Sequence, residues 1–356
     1  MGSIKEVLHM DSVALSADEK NVVIIDQTKL PNALEYMSLG TASDIYDAMH
    51  ELKVRGALAV SICAAYGMYV LASTITADDS EAFLAEYGRL SEYLGSARPA
   101  IVNLKYALKR MESVATANRE KTKDEIVALL GTESKAIHTQ TGKICELISE
   151  YGLTLLKEGD GILTHCNAGP LSSTGYGTAL GPILLGKERG IRFRVFADET
   201  RPLLQGARLT SYELEKAGVD VILICDSMAG VVMKNGWINA CFVNADKVAL
   251  NGDTVGKIGT SGLAVLAAYY RIPFYVLTPM STFDTGCRAG EDIVIEMRDP
   301  NEIKEKFYKQ PMTLKEAKCY NPAFDVTEHD LITAFVTEKG ICRPPFDLNI
   351  AALLEK

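Results

Sequence analysis

The sequence predicts an α/β protein. A smaller, mainly helical N-terminal domain over residues 1–155 precedes a Rossmann-like parallel-sheet domain over residues 156–356. Three observations carry this expectation. From Asp160 onward, short β-branched or aromatic runs alternate with helical stretches, the grammar of a parallel, doubly wound sheet. From Thr41 to about Leu156 the apolar residues recur with a period near 3.6. The 356 residues, 47% apolar and 23% charged, suffice for a sizeable core and two domains.

Along the first half, residues 20–30 (KNVVIIDQTKL) read as strand and turn, with Pro31 behind. SDIYDAMHEL begins with a Ser/Asp cap, and DSEAFLAEYGRLSEYLG follows at helical spacing. PAIVNLKYALKRM opens with Pro99 at a favoured first helical position, and a long run from Lys123 to Leu156 comes next. Gly56 to Ala77 carries no charge and is long enough to span a bilayer. Its Ala, Ser, Thr and Tyr content, with no similar segment elsewhere, predicts a buried helix instead.

In the second half, ILTHC, FRVFAD, VILIC, ACFVNAD and FYVLTP read as strands, with helical stretches at 174–187, 206–218, 228–236 and 258–270. Ligands of such sheets bind outside the carboxyl ends of the strands. Cys166, Asp198, Asp226, Asp246 and Thr278 fall there. The Lys304–Lys309 stretch (KEKFYK) reads as a solvated face.

A formal net charge of −9 repels nucleic acid and anionic membranes, so neither is an expected partner. Any bound phosphate must be held by a few local Arg, Lys and backbone groups. The eight cysteines are scattered without a CxxC, and the five histidines are dispersed. Neither a disulfide framework nor a metal site is expected. The N-terminus has early acids and no long apolar stretch, so the expected compartment is the cytoplasm.

Several motifs bear chemistry. ILTHCNAGPLSSTGYGTALG (162–181) ends a strand at Cys166 and enters a Gly-rich loop. Gly175-Tyr-Gly177 with Asp198 resembles a dinucleotide fingerprint, but the glycines stand too far from the strand end. Cys166 reads instead as a functional thiol facing backbone N–H groups, against the plainer reading of a buried structural cysteine. ADETRPLLQGARLT (197–210) offers Arg201 as a fork donor and Gln205 as an amide, or simply solvated charges. ACFVNADKVALNGDTVGKIGT (240–260) puts Asp246 at a strand end, as a proton carrier or a cap. Asn251-Gly252-Asp253 follows as a turn, and Gly256-Lys257 stands at the mouth of the next helix. Arg55-Gly56-Ala57 and Arg98-Pro99 each place an arginine beside a helix N-terminus, a ready anion site. Together these groups look like a sugar-phosphate pocket.

The ordered blocks VRGALAV, ARPAIVNL, THCNAGPLSSTGYGTALG, ADETRPLLQGARLT, ICDSMAG, NADKVALNGD, KIGT, RIPFYVLTP and NPAFDVTEHDLITAFVTEKGI resemble the methylthioribose-1-phosphate isomerase family. That family is related to the initiation factor 2B regulatory subunits and to ribose-1,5-bisphosphate isomerase. The resemblance runs from about residue 20 to 345. It implies a helical domain joined to a Rossmann-like domain, a homodimer, and conversion of an aldose 1-phosphate to a ketose 1-phosphate without nucleotide or metal. It implies the thiol at Cys166 and the acid/base carboxylate at Asp246. Substrate contacts are implied at Arg55, Gly56, Ala57, Arg98, Gln205 and Lys257, with Gly256 where the family usually has Asn. An isomerase of 5-deoxyribose 1-phosphate, or a non-enzymatic regulatory subunit, is the alternative on the same fold.

Overall fold

The computed structural model describes residues 3–355. The chain packs as two units. One comprises residues 8–146 and 169–177; the other holds the segment up to Val7, residues 147–168, and the chain from Thr178 onward.

The first unit is mainly helical. It opens with an antiparallel three-stranded sheet, β1 (Val13–Leu15), β2 (Val22–Ile25) and β3 (Tyr36–Leu39). Only β2 was expected; β1 and β3 are too short to show a two-residue period. Helices Ala42–His50, Ala57–Thr74, Ser80–Ser96 and Val102–Ala117 follow, with most of helix Lys123–Leu153. Thr41 and Asp44 form a capping box on the first of these. Asp79 caps the third by accepting the Ala82 N–H at 2.8 Å. Helix Ala57–Thr74 is the uncharged segment, and it is the core of this unit, as expected. Ala59, Val60, Ile62, Cys63, Ala64, Ala65 and Met68 are wholly buried in it. Truncating Ile62 to Ala would cost about 2–5 kcal/mol. Pro99 is not at a first helical position. The Ile101 N–H turns back to the Arg98 carbonyl, so the helix begins only at Val102.

The second unit carries β4 (Gly161–Thr164), β5 (Arg194–Asp198), β6 (Asp220–Ile224), β7 (Ala240–Val243), β8 (Lys247–Val248), β9 (Thr254–Lys257), β10 (Phe274–Leu277), β11 (Phe324–Thr327), β12 (Ala334–Thr337) and β13 (Gly340–Cys342). Seven form one sheet in the order β13-β12-β10-β7-β4-β5-β6, parallel except for the edge strand β13. Numbered by first appearance, the six parallel strands run 3-2-1-4-5-6, the doubly wound Rossmann order. Leu163, Phe196, Val243, Val276 and Phe335 fill its core, with Phe335 edge-on to Phe283 and Phe346.

Four details differ from expectation. Residues 174–180 are irregular and the helix starts at Gly181, because Gly175 and Gly177 adopt positive φ. Gly206–Thr210 forms a π-helical turn before helix Ser211–Lys216. Gly256 and Lys257 do not stand at a helix mouth. They end β9, which pairs antiparallel with β8 and β11, and helix Thr260–Tyr270 starts only after Gly259. Lys304 is also not solvated: it is buried, and its Nζ donates to the Lys315 carbonyl at 2.9 Å.

Candidate active site

The site in the second unit is built where β4 ends. After the wholly buried GILT strand come His165, Cys166 and Asn167, all buried. Cys166 adopts φ 66°, a left-handed conformation that costs a non-glycine residue about 1–2 kcal/mol. Its neighbours hold it there. The Cys166 N–H donates to Thr200 Oγ1 at 2.8 Å, and its carbonyl accepts from Thr210 Oγ1 at 2.6 Å. Thr200 in turn donates to the Asp198 carbonyl at 3.0 Å. Asn167 donates to Glu213 Oε2 and Thr210 Oγ1, fixing the π-helical turn to the same loop. A π-turn is frequent at functional sites, and this one supplies the Thr210 hydroxyl.

His165 and Asp198 form a buried pair, Nδ1 to Oδ2 at 3.0 Å, each 2% exposed. Burial alone would lower the His165 pKa. The hydrogen bond and charge of Asp198, with the Ile258 carbonyl, outweigh it and hold it above its ordinary value. Burial raises the Asp198 carboxyl, and His165 offsets part of that. Asp226 accepts the N–H groups of Thr200 and Arg201, both at 2.7 Å. The ligand atoms of His165, Asp198 and Asp226 lie within 4.8 Å of one another, as a metal site would require. Here the Asp226 oxygens face backbone donors and His165 faces Asp198 at hydrogen-bond distance, so the set reads as a hydrogen-bonded scaffold.

Asp246 lies three residues beyond β7, half-buried, with its N–H donated to the Val255 carbonyl at 2.9 Å. Strands β4 and β7 are hydrogen-bonded neighbours, Thr164 opposite Phe242. They flank the point where the strand order reverses, the crevice that binds ligands in open α/β sheets. Cys166 and Asp246 therefore stand at the carboxyl ends of the two switch-point strands. Gln205 is buried behind the Thr200 loop, its Oε1 without a hydrogen-bond partner among the described residues. Lys257 is buried at the end of β9, and its carbonyl accepts from Thr260 Oγ1 at 2.6 Å. A Cβ on Gly256 would meet Thr260 side-chain atoms at 3.0–3.2 Å. Arg201 is not an open fork donor: its guanidinium bonds the Pro202 and Ile303 carbonyls at 3.0 Å each.

The remaining predicted residues lie in the helical unit. Gly56 is the N-cap of helix Ala57–Thr74 at φ 93°, and a Cβ there would sit 2.4 Å from Ser172, so the position requires glycine. Arg55 immediately precedes it. Arg98 is buried, three residues before the cap of helix Val102–Ala117. The same unit holds a chain that the sequence did not reveal. Tyr66 Oη meets His138 Nδ1 at 2.8 Å, and His138 Nε2 meets Thr174 Oγ1 at 3.0 Å. A cavity of about 630 Å³ lies at the opposite, amino ends of β4 to β7, lined by Arg192, Arg194, Asp220 and Trp237. Its lining includes the ion pairs Arg192–Glu158 and Arg194–Asp220, and it lies away from the switch point.

Residues 53–344 match the initiation factor 2 subunit family. The chain belongs to that family. Among similar family members, a methylthioribose-1-phosphate isomerase of Symbiobacterium thermophilum is 53% identical, covering 98% of this chain and 97% of the relative. A 5-deoxyribose 1-phosphate isomerase of Petrotoga mobilis is 50% identical over 96% of this chain and 99% of its own. Of solved structures, 5-methylthioribose 1-phosphate isomerase from Pyrococcus horikoshii superposes with a TM-score of 0.90 at 36% identity, over 99% of this chain and 98% of that one. The initiation factor 2B delta subunit from A. fulgidus superposes with 0.85, also at 36% identity, over 97% and 99%.

Proposed function

We propose that the protein is an aldose–ketose isomerase converting 5-methylthioribose 1-phosphate to 5-methylthioribulose 1-phosphate. The observation that carries this reading is the placement of Cys166 and Asp246 at the carboxyl ends of β4 and β7, the switch-point strands. The 53% identity to a relative of that name supports it.

The substrate's C1 is locked as a phosphate ester, so no free aldehyde is available for ordinary enediol formation. The C1–O4 bond must break with a proton delivered to O4, a hydrogen must pass from C2 to C1, and the O2 hydroxyl must lose its proton as C2 becomes a ketone. Asp246 donates to O4 and accepts from O2, which balances the protons. Cys166 stabilises the charge at C1 and C2. Its burial favours direct hydride transfer from C2 to C1 over exchange with solvent. Contacts to the phosphate and sugar oxygens are assigned to Arg55, Gly56, Ala57 and Arg98 of the helical unit and to Gln205, Gly256 and Lys257 of the other.

Asp246→Asn tests the assignment. Turnover is expected to fall about 100- to 10,000-fold with the unfolding midpoint unchanged. Activity within threefold of wild type removes Asp246 from the chemistry.

A second substrate, 5-deoxyribose 1-phosphate, is favoured by the 50% identity to an isomerase of that sugar, only slightly below the first. The ratio of kcat/KM for the two sugars decides between them. We further read the protein as a cytoplasmic homodimer with no nucleic acid, membrane, nucleotide or metal requirement. Edge strand β6 exposes Ile222 and Leu223, the turn after it exposes Met228, and the following helix Ala229–Lys234 exposes Val231, an apolar face that a second copy would cover. Light scattering at the monomer mass would refute the dimer.

A further inference from the structure

His165 is a buried titratable group that the reaction as written does not use. Its Nε2 lies 2.9 Å from the Ile258 carbonyl, a group that only accepts, so Nε2 carries a hydrogen. Its Nδ1 lies 3.0 Å from Asp198. The ring thus links the end of β4 to two other segments. One is the Asp198–Thr200 loop that clamps Cys166. The other is the Lys257–Ile258–Gly259 turn between β9 and helix Thr260–Tyr270. That turn is gripped on both sides. A Cβ on Gly259 would lie 2.9 Å from the His165 ring, and Asp325 accepts the N–H groups of Gly259 and Ser261 at 2.8 and 3.1 Å.

We propose that His165 is a positioning residue with two separable effects. Through Nε2 it fixes the turn that presents Lys257 to the anionic substrate, and through Nδ1 it fixes the loop that holds Cys166 in its left-handed conformation. The first governs substrate affinity and the second governs turnover. This rests on the isomerase reading above.

Two amide variants separate the effects, because an Asn amide nitrogen stands in for Nδ1 and a Gln amide nitrogen for Nε2. His165→Asn keeps the Asp198 contact and loses the Ile258 contact; KM is expected to rise about tenfold with kcat within threefold. His165→Gln keeps the Ile258 contact and loses the other; kcat is expected to fall about tenfold with KM within threefold. If both variants change KM and kcat in parallel, or change neither, the inference is overturned. If neither variant folds, Asp325→Asn loosens the same turn from its other side. It is then expected to raise KM without lowering kcat, and an unchanged KM overturns the inference equally. Wild-type turnover of 5-methylthioribose 1-phosphate separates this from the underlying reading. Should the wild type turn over neither sugar, the isomerase reading fails. The comparison is then read on the dissociation constant for 5-methylthioribose 1-phosphate, where only the Asn variant should weaken binding.

Discussion

Replacing Thr200 with valine keeps the shape of the side chain and removes its hydroxyl. In the wild type that hydroxyl accepts the Cys166 N–H at 2.8 Å and donates to the Asp198 carbonyl at 3.0 Å, in a position with no solvent exposure. Each buried group left without its partner costs about 1–3 kcal/mol, so the pair loses about 2–6 kcal/mol. Urea slopes rise with chain size above the roughly 1–3 kcal/mol per M of small proteins, so the unfolding midpoint should drop by about 0.5 M or more. The chain's single tryptophan, Trp237, stacks on Phe196 of β5 at 6.1 Å, so its emission reports this unit. Function should fall as well. With the clamp gone, Cys166 relaxes from φ 66° toward negative φ and its thiol leaves the crevice; kcat is expected to drop tenfold or more. Thr200→Ser keeps the hydroxyl and should stay close to wild type in both measurements. A valine variant with wild-type midpoint and wild-type kcat would refute the clamp.

Arg55→Ala and Arg98→Ala should each raise KM about tenfold or more, since a hydrogen bond to a charged group contributes roughly 1.5–3 kcal/mol; unchanged kinetics in both place them outside the pocket. Gly256→Asn must push its Cβ against Thr260, so it should shift the kcat/KM ratio between the 5-methylthio and 5-deoxy sugars; an unaltered ratio in an active variant means the position does not read the substrate. Asp253 accepts from Asn251, Gly290 and His329. These bonds outweigh burial and lower its pKa from 3.8 to about 2. The folded state therefore binds this proton less readily than the unfolded chain. The Asp253 contribution is complete above about pH 4 and is lost as pH falls toward 2. Melting temperatures of wild type and Asp253→Asn should differ near neutrality and converge over that interval; a constant gap would contradict the assignment.

The parallel sheet was legible because β4, β5, β7 and β10 are short, largely buried apolar runs, spaced among helical stretches. The helix Ala57–Thr74 was legible because no charge interrupts it. The β9 strand was not. Thr-Val-Gly-Lys beside a helical stretch shows no two-residue period, and its partner β11 lies some seventy positions on, beyond any local pattern. Cys166 and Asp246 could be picked out as polar residues closing apolar strands. The groups that hold Cys166 could not, since Thr200 and Thr210 reach it from 34 and 44 residues away. His165 stood beside Cys166 in plain view, but the carbonyl that defines its role is 93 residues distant.

Helix Ala57–Thr74 carries no charge on any face, and from Ala57 to Met68 neighbours bury every residue. A rod enclosed in this way is a poor moving part and a good mount. To slide or tilt, it would have to repack several close-fitted faces at once. Arg55, Gly56 and Ala57 stand at its amino end and share its stillness, so they form an anvil rather than a hinge, and any give within this unit must come from its thinner connecting segments.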